Sequence, residues 1–172
     1  INTATEFDIA NVLYHIFKDE FICVSIKNNV WYEYIKHRWY EIDSGTALRM
    51  KISKEMYQLY LMKTVEHTAK MQTMEQQDQG YDNMRKRTSK LAEIRTLLKK
   101  TTWKNNIMRE ARELFYDKDF MEKLDQNPHL LCFNNYVVDF KNKNHRKGKP
   151  DDYISKSTNI DYISYDAQKY SK

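Results

Sequence analysis

Three glycines and two prolines among 172 residues leave this chain few places at which a helix must end. Long helices are therefore the expectation. Gly45, Gly80 and Gly148 also lie far apart, so no glycine-rich phosphate loop can form, and the chain by itself cannot be an ordinary P-loop ATPase. With 41% hydrophobic residues it can build a core, which argues against global disorder. Its length suits one sizeable domain or two small ones. Charged residues reach 31% and mean hydropathy is −0.86, as elongated helices with broad solvated faces would require. No apolar run approaches the roughly 18 residues of a membrane span. The start, Ile1-Asn2-Thr3-Ala4, has neither a signal-peptide pattern nor an initiator Met, so the chain is expected to be a piece of a longer protein.

Thr3 with Glu6 fits a capping box, and Phe7, Ala10, Leu13, Tyr14 and Phe17 then recur at helical spacing. A strand-like run over 21–26 follows, then the turn signal Lys27-Asn28-Asn29. The β-preferring run Val30-Trp31-Tyr32-Glu33-Tyr34-Ile35 comes next, with a tight turn at Lys36-His37 and a third strand over 38–42. Together these make a small antiparallel meander over 21–42.

A helical region over 44–125 follows. Asp43 or Ser44 is placed to cap its first helix, and Leu48, Ile52, Met56, Leu59 and Met62 mark one face. Continuous from 45 to 79, that helix would span roughly 50 Å, with Gly80 ending or bending it. A second helix over 81–100 carries Met84, Leu91, Ile94 and Leu98 in heptad-like spacing. The pair is expected to form a helical hairpin with a polar tip. Thr101 or Thr102 would cap a helix with Trp103, Ile107, Ala111 and Leu114 on one face. Asp117 would cap a short one with Phe120, Met121 and Leu124, stopped by Asn127-Pro128. The part over 130–158 reads as a β-hairpin turning at Asn134-Asn135, followed by a basic loop. The expected fold is α+β, mainly helical, as a single domain over 1–172: an N-terminal β-meander, a long helical hairpin and a C-terminal β-hairpin.

The net charge of +5 is unevenly spread. Residues 84–112 hold ten basic side chains against Glu93 and Glu110, and 141–149 hold five with no acid, so the remainder carries a net −8. Such asymmetry suits a polyanionic partner, although cationic helices are often merely solvated. The candidate nucleic-acid contacts are Arg85, Lys86, Arg87, Lys90, Lys99, Lys100, Lys104 and Arg109, then Lys141, Lys143, Arg146, Lys147 and Lys149. Arg38 joins them from an aromatic-basic hairpin that includes Trp31 and Trp39. Those rings could stack bases or pack a core; alternation separates Trp31 from Tyr32 and Tyr34, and only one set can be fully buried. Cys23 and Cys132 lie in apolar strings and read as buried free thiols in a reducing compartment. No Cys or His pair has zinc-ligand spacing. Asp151-Asp152 is a poor metal clamp, since neighbours on a strand point apart; a loop or cap after Pro150 is the expectation. The five histidines are scattered, no nucleophile elbow is present, and His15 reads as a packed residue on the first helix.

Several strings occur together and in order. They are Val30-Trp31-Tyr32-Glu33-Tyr34 with Arg38-Trp39, Lys104-Asn105-Asn106-Ile107-Met108, and Asn127-Pro128-His129-Leu130-Leu131-Cys132-Phe133-Asn134-Asn135. Val137-Val138-Asp139-Phe140 and Lys149-Pro150-Asp151-Asp152-Tyr153-Ile154-Ser155-Lys156-Ser157-Thr158 complete the set. In this order the chain resembles the helicase-proximal domain of poxvirus-type and phage- or plasmid-type superfamily 3 primase-helicases, with giant DNA viruses nearest in flavour. The resemblance runs from about residue 5 to 163 and is most specific over 127–158. That family often has Gly in an Asn-Gly-Val-Tyr-Asp hairpin; here Tyr136 precedes Val137, and Asn134-Asn135 would have to supply the turn. The stretch 66–90 matches no motif.

The resemblance implies a non-catalytic accessory or linker domain of viral DNA replication, helping DNA engagement or hexamer assembly. A primase would precede it and a AAA+ motor, with its phosphate loop, would lie beyond Lys172. Implied partners are DNA, single-stranded or forked, and the adjoining primase and helicase domains. Hexamers would form only in the full-length protein, with no membrane involved. No cofactor is expected here, since ATP and Mg belong to the motor. The implied location is a viral replication factory in the host cytoplasm. The alternative is a pure oligomerisation or spacer module without DNA binding; an enzyme with an unrecognised site is a third reading.

Overall fold

The computed structural model describes residues 4–75 and 79–165. Helix α1 (Glu6–Phe17) opens on Thr5. Its hydroxyl accepts the Asp8 N–H at 3.3 Å while Asp8 accepts the Thr5 N–H at 2.9 Å, a reciprocal capping box. Thr3, expected in that role, lies outside the described residues. Ile9, Ala10, Leu13 and Phe17 turn inward. Phe7, about 120° from Leu13 around the helix, is 51% exposed instead of packed. His15 is likewise exposed, contrary to its reading as a packed residue.

Strands β1 (Phe21–Ser25), β2 (Val30–Ile35) and β3 (Arg38–Ile42) form an antiparallel sheet in chain order, as the turn signals predict. The β2–β3 turn holds Lys36 and His37 at φ 49° and 69°, both left-handed, as a two-residue hairpin turn demands. Phe21, Cys23 and Trp31 pack with Ile9, Leu48, Ile107 and Phe115. On the other face Tyr32 and Trp39 meet Phe120, each with ring centroids 5.2 Å apart. Trp31 and Tyr32 are therefore 0% and 8% exposed together. Neither alternating set is fully buried, since Ile35 is 44% exposed and Tyr34 is half-buried, while Trp31 and Trp39 pack as core residues.

Neither Asp43 nor Ser44 provides the expected side-chain cap. Ser44 and Gly45 both adopt left-handed φ (52° and 65°) in a 3-10 turn that leads into α2 (Thr46–Lys51). A Cβ on Gly45 would lie 3.1 Å from the Trp31 indole and 3.0 Å from Met108, so the packed ring occupies the room a side chain would need. A π turn (Ile52–Met56) joins α2 to α3 (Tyr57–Gln72). Four-residue steps drift about 40° per step on an α-helix. The wider π turn absorbs that drift, so Leu48, Ile52, Met56 and Tyr60 all face the core. Leu59 and Met62, expected on this face, are 38% and 68% exposed.

The helical run from Thr46 ends at Gln72, about 40 Å long instead of 50. Gly80 does not end it: it lies within α4 (Gln79–Leu97), which returns along α3 and buries Ile94 in the core. The helical hairpin is thus present. α5 (Thr101–Leu114) starts at Lys100 without a Thr101 or Thr102 side-chain cap and packs against α1. Asp117 accepts the Asp119 N–H at 2.9 Å in the turn before α6 (Phe120–Lys123), where Met121 is half exposed.

The C-terminal part holds β4 (Leu130–Cys132), β5 (Val137–Asp139) and β6 (Asn144–Arg146), antiparallel in chain order. The expected hairpin is there, but the basic loop folds back as a third strand. The Asn134-Asn135 turn closes with the Phe133 N–H on the Tyr136 carbonyl at 2.8 Å, and neither Asn takes a left-handed φ, so no glycine is needed. Asp151 and Asp152 lie in a 3-10 turn (Pro150–Asp152), with Asp152 accepting the Lys149 N–H at 2.8 Å. Cys23 and Cys132 are buried free thiols, and burial pushes both upward from the usual thiol range.

The two sheets interlock. The Trp39 indole N–H donates to the Pro150 carbonyl at 2.9 Å and its backbone N–H to Ile154 at 2.7 Å. The Gly148 N–H donates to His37 Nδ1 at 3.0 Å. A Cβ on Gly148 would come within 2.7 Å of the His37 Cβ, so this docking requires glycine.

Candidate nucleic-acid interface

Helix α4 is polarised. Thr88, Leu91 and Ile94 turn toward the rest of the molecule, while Arg85, Lys86 and Arg87 stand exposed. Arg85 reaches Asp82 at 3.4 Å, but both side chains are mostly solvated, and such a pair contributes little. Lys90 pairs with Glu93 at 2.9 Å. Lys86 and Arg87 have no ion-pair partner among the described residues. Arg87 and Lys90 also border a groove of about 340 Å³ with His67, Leu91 and Ile94.

Where α4 meets α5, Lys99 stands 4.2 Å over the Tyr57 ring and Lys100 is exposed. Lys104 lies in the first turn of α5. Partial burial, with Arg49 and Lys99 nearby, holds its ammonium below the usual lysine range. Cations that depress one another would be relieved by a bound anion. Arg49 reaches this corner from α2 and donates to the Asn105 side chain at 3.0 Å. Sequence reading missed it, because it lies far from Lys99 along the chain and no local charge run marks it. Arg109 is exposed and lines a shallow groove together with Glu6 and Glu110.

In the second sheet Lys141, Lys143, Lys147 and Lys149 are exposed. Lys147 lies 5.0 Å over the Tyr136 ring. Arg146 is committed internally, making a bidentate pair with Asp152 at 2.8 and 2.7 Å. Burial pushes the Asp152 carboxyl up, but Arg146 and the Lys149 N–H outweigh it and hold the group below its ordinary value. Arg38 is also committed: it stacks 4.3 Å over Tyr40 and donates to the Ser155 carbonyl and the Asn159 side chain at 3.5 and 3.3 Å. Asp125 fastens the same segment by accepting from the backbone and hydroxyl of Ser155. The candidates therefore divide into a helical ridge, a strand-and-loop cluster, and two arginines that hold the fold together. Among the described residues, no group of three or more His, Cys, Asp or Glu could hold a metal ion, and no helix is long and apolar enough to cross a membrane.

The family model described as D5 N terminal like matches residues 10–171. The chain is 34% identical over 166 residues to "Putative helicase L207/L206" of Acanthamoeba polyphaga mimivirus, covering 95% of this chain and 17% of that protein. It is 26% identical over 189 residues to "Putative helicase 022R" of Frog virus 3 (isolate Goorha), covering 94% and 19% respectively. A 58-residue stretch is 45% identical to "Putative helicase 121R" of Invertebrate iridescent virus 3, covering 34% and 6%. The chain thus spans less than a fifth of the length of these relatives.

Proposed function

This chain belongs to the D5 N terminal like family, and from that premise we propose that it is a non-catalytic accessory domain of a viral DNA-replication helicase that engages DNA beside the motor. The observation that supports DNA engagement is the outer face of α4 and its corner with α5. Lys86, Arg87, Lys99 and Lys100 stand exposed there without ion-pair partners among the described residues, on a helix whose other face is packed. Phosphates are the polyanion such a ridge fits. In this reading a superfamily 3 motor beyond the chain uses ATP and Mg, a primase lies before it, hexamers form in the full-length protein, and the work takes place in replication factories of the host cytoplasm.

Fluorescence anisotropy with single-stranded, duplex and forked DNA across a salt series tests this. Affinity should fall linearly in log salt, and Lys86→Glu with Arg87→Glu should weaken binding by about tenfold or more and flatten the slope. Unchanged affinity in that double variant would remove the ridge from the interface.

A second reading is an assembly module. One observation favours it: Met62 and Val65, one turn apart on α3, are 68% and 60% exposed. Sedimentation of a longer chain that includes the motor, with Met62→Ser and Val65→Ser, separates the two readings. Loss of oligomers with DNA affinity intact would favour assembly.

A further inference from the structure

Among the described residues, Tyr162 lies against part of the outer face of the second sheet and leaves the rest of it open. Strand alternation puts Leu131, Val138 and His145 in one row across the sheet, since they are register partners. The opposite row, Cys132 and Val137, is buried beneath with Ile154. On the outer side Phe140 is 57% exposed and His145 is exposed. His145 and Tyr162 pack as a tilted pair, with centroids 4.7 Å apart at 32°, and Tyr136 meets the same imidazole edge-on at 5.1 Å. Val138, Phe140, His145 and Tyr162 border a groove of about 280 Å³, with Lys143 at its rim. Lys147 stands over Tyr136, and Lys141 continues the cationic edge.

The carboxylates near this face do not neutralise it. Asp139 also lines this groove, but it is only 6% exposed and its carboxylate is occupied, accepting from the Asn142 backbone and side chain at 3.0 and 2.8 Å. Asp152 is held by Arg146. Among the described residues near this face, Asp151 and Asp161 are the exposed acids, against the four exposed lysines of 141–149.

We infer that this face is a stacking platform for single-stranded nucleic acid, with a base entering the groove between Phe140 and His145 and the adjoining phosphates meeting Lys143 and Lys147. The inference rests on the DNA-engaging reading above and adds strand selectivity to it. Lysines alone would bind single strand and duplex alike. Exposed ring faces add binding only for bases that are free to stack, because a duplex hides its base faces. The excess of exposed lysines over exposed carboxylates among the described residues favours a polyanion over a protein partner.

The test measures binding of fluorescein-labelled oligothymidylate and of a hairpin duplex to the 172-residue chain. Phe140→Ala and His145→Ala should each weaken oligothymidylate binding about tenfold while leaving the duplex within about twofold, and His145→Phe should restore most of the loss. A 2-aminopurine base in the single strand should be quenched by the parent chain and less so by the alanine variants. Melting temperature checks that each variant is folded. Alanine variants that bind the single strand normally, or that lose both DNAs equally, overturn the platform. In those cases, sensitivity of binding to Lys86→Glu and Arg87→Glu would leave the accessory-domain reading standing. No binding of either DNA by the parent chain would overturn both.

Discussion

In the sheet β1–β3, Trp31, Tyr32 and Trp39 are all less than a tenth exposed, whereas in the sheet β4–β6 Phe140 is more than half exposed and His145 stands in solvent. Both sheets are three-stranded, antiparallel and ordered along the chain. They differ in what is layered on them. Helices α1, α2 and α5 close one face of the first sheet, and Phe120 with Tyr153 closes the other. Among the described residues, the second sheet is closed on one side by Ile154 and its neighbours, and Tyr162 covers just part of the other. Aromatic content alone therefore does not mark a binding surface. A ring next to a cation is core when a second layer lies on it, and available when none does.

The largest test of this contrast is stability. Trp31→Ala should cost about 3–5 kcal/mol, because the emptied site between Phe115 and Gly45 cannot collapse easily. Phe140→Ala should stay within about 0.5 kcal/mol. Urea titration followed by circular dichroism checks both. A Phe140 cost approaching that of Trp31 would mean that the second sheet is covered after all.

A smaller effect should follow from Gly148→Ala, where the new methyl meets His37 and the Tyr34 hydroxyl. Overpacking there should cost about 1–3 kcal/mol and loosen one sheet from the other. Hydrogen exchange at the Trp39 indole N–H, which donates to Pro150, should speed up relative to that of Trp31, which donates to Asn29. Equal acceleration at both would show that the two sheets open as one unit.

The same contrast explains what was legible in the sequence. The first sheet was readable almost to the residue, because its strands are rich in β-preferring residues and its turns carry Asn and paired polar residues. The helical hairpin, the buried thiols and the Asp151-Asp152 turn were also legible, from periodicity, apolar context and the preceding Pro150. β6 was not: Asn144-His145-Arg146 has no apolar alternation and is a strand only because β5 offers it a partner. The π turn left Leu59 and Met62 looking like core, since periodicity analysis assumes an unbroken α-helix. Within the candidate interface, charge runs located the α4 ridge but could not separate Lys143 from Arg146. That distinction depends on Asp152, which reaches its arginine through the fold and not through any local spacing.

The smallest effect should come from acid, and its direction distinguishes the sheets. Asp152 has a folded pKa below its unfolded value of about 3.9. Its contribution is fully present above that unfolded value and is lost as pH falls through the lowered one. Asp139 is lowered in the same sense by the Asn142 N–H and amide, so both carboxylates of the second sheet favour the folded state near neutrality. Glu33 on the first sheet is displaced the other way. Burial raises it, partly offset by Lys51, so protonation there favours the folded state as pH falls. Below about pH 4 the strap from Lys149 to Ile154 should loosen first, with a loss on the order of 1–2 kcal/mol from the Arg146–Asp152 pair. In an NMR titration the Trp39 indole resonance should shift and exchange before that of Trp31, and Asp152→Asn should produce the same separation at neutral pH. Simultaneous movement of the two indoles, in acid and in the variant, would mean that the pair does not anchor the second sheet and that its open face is held by the first sheet alone.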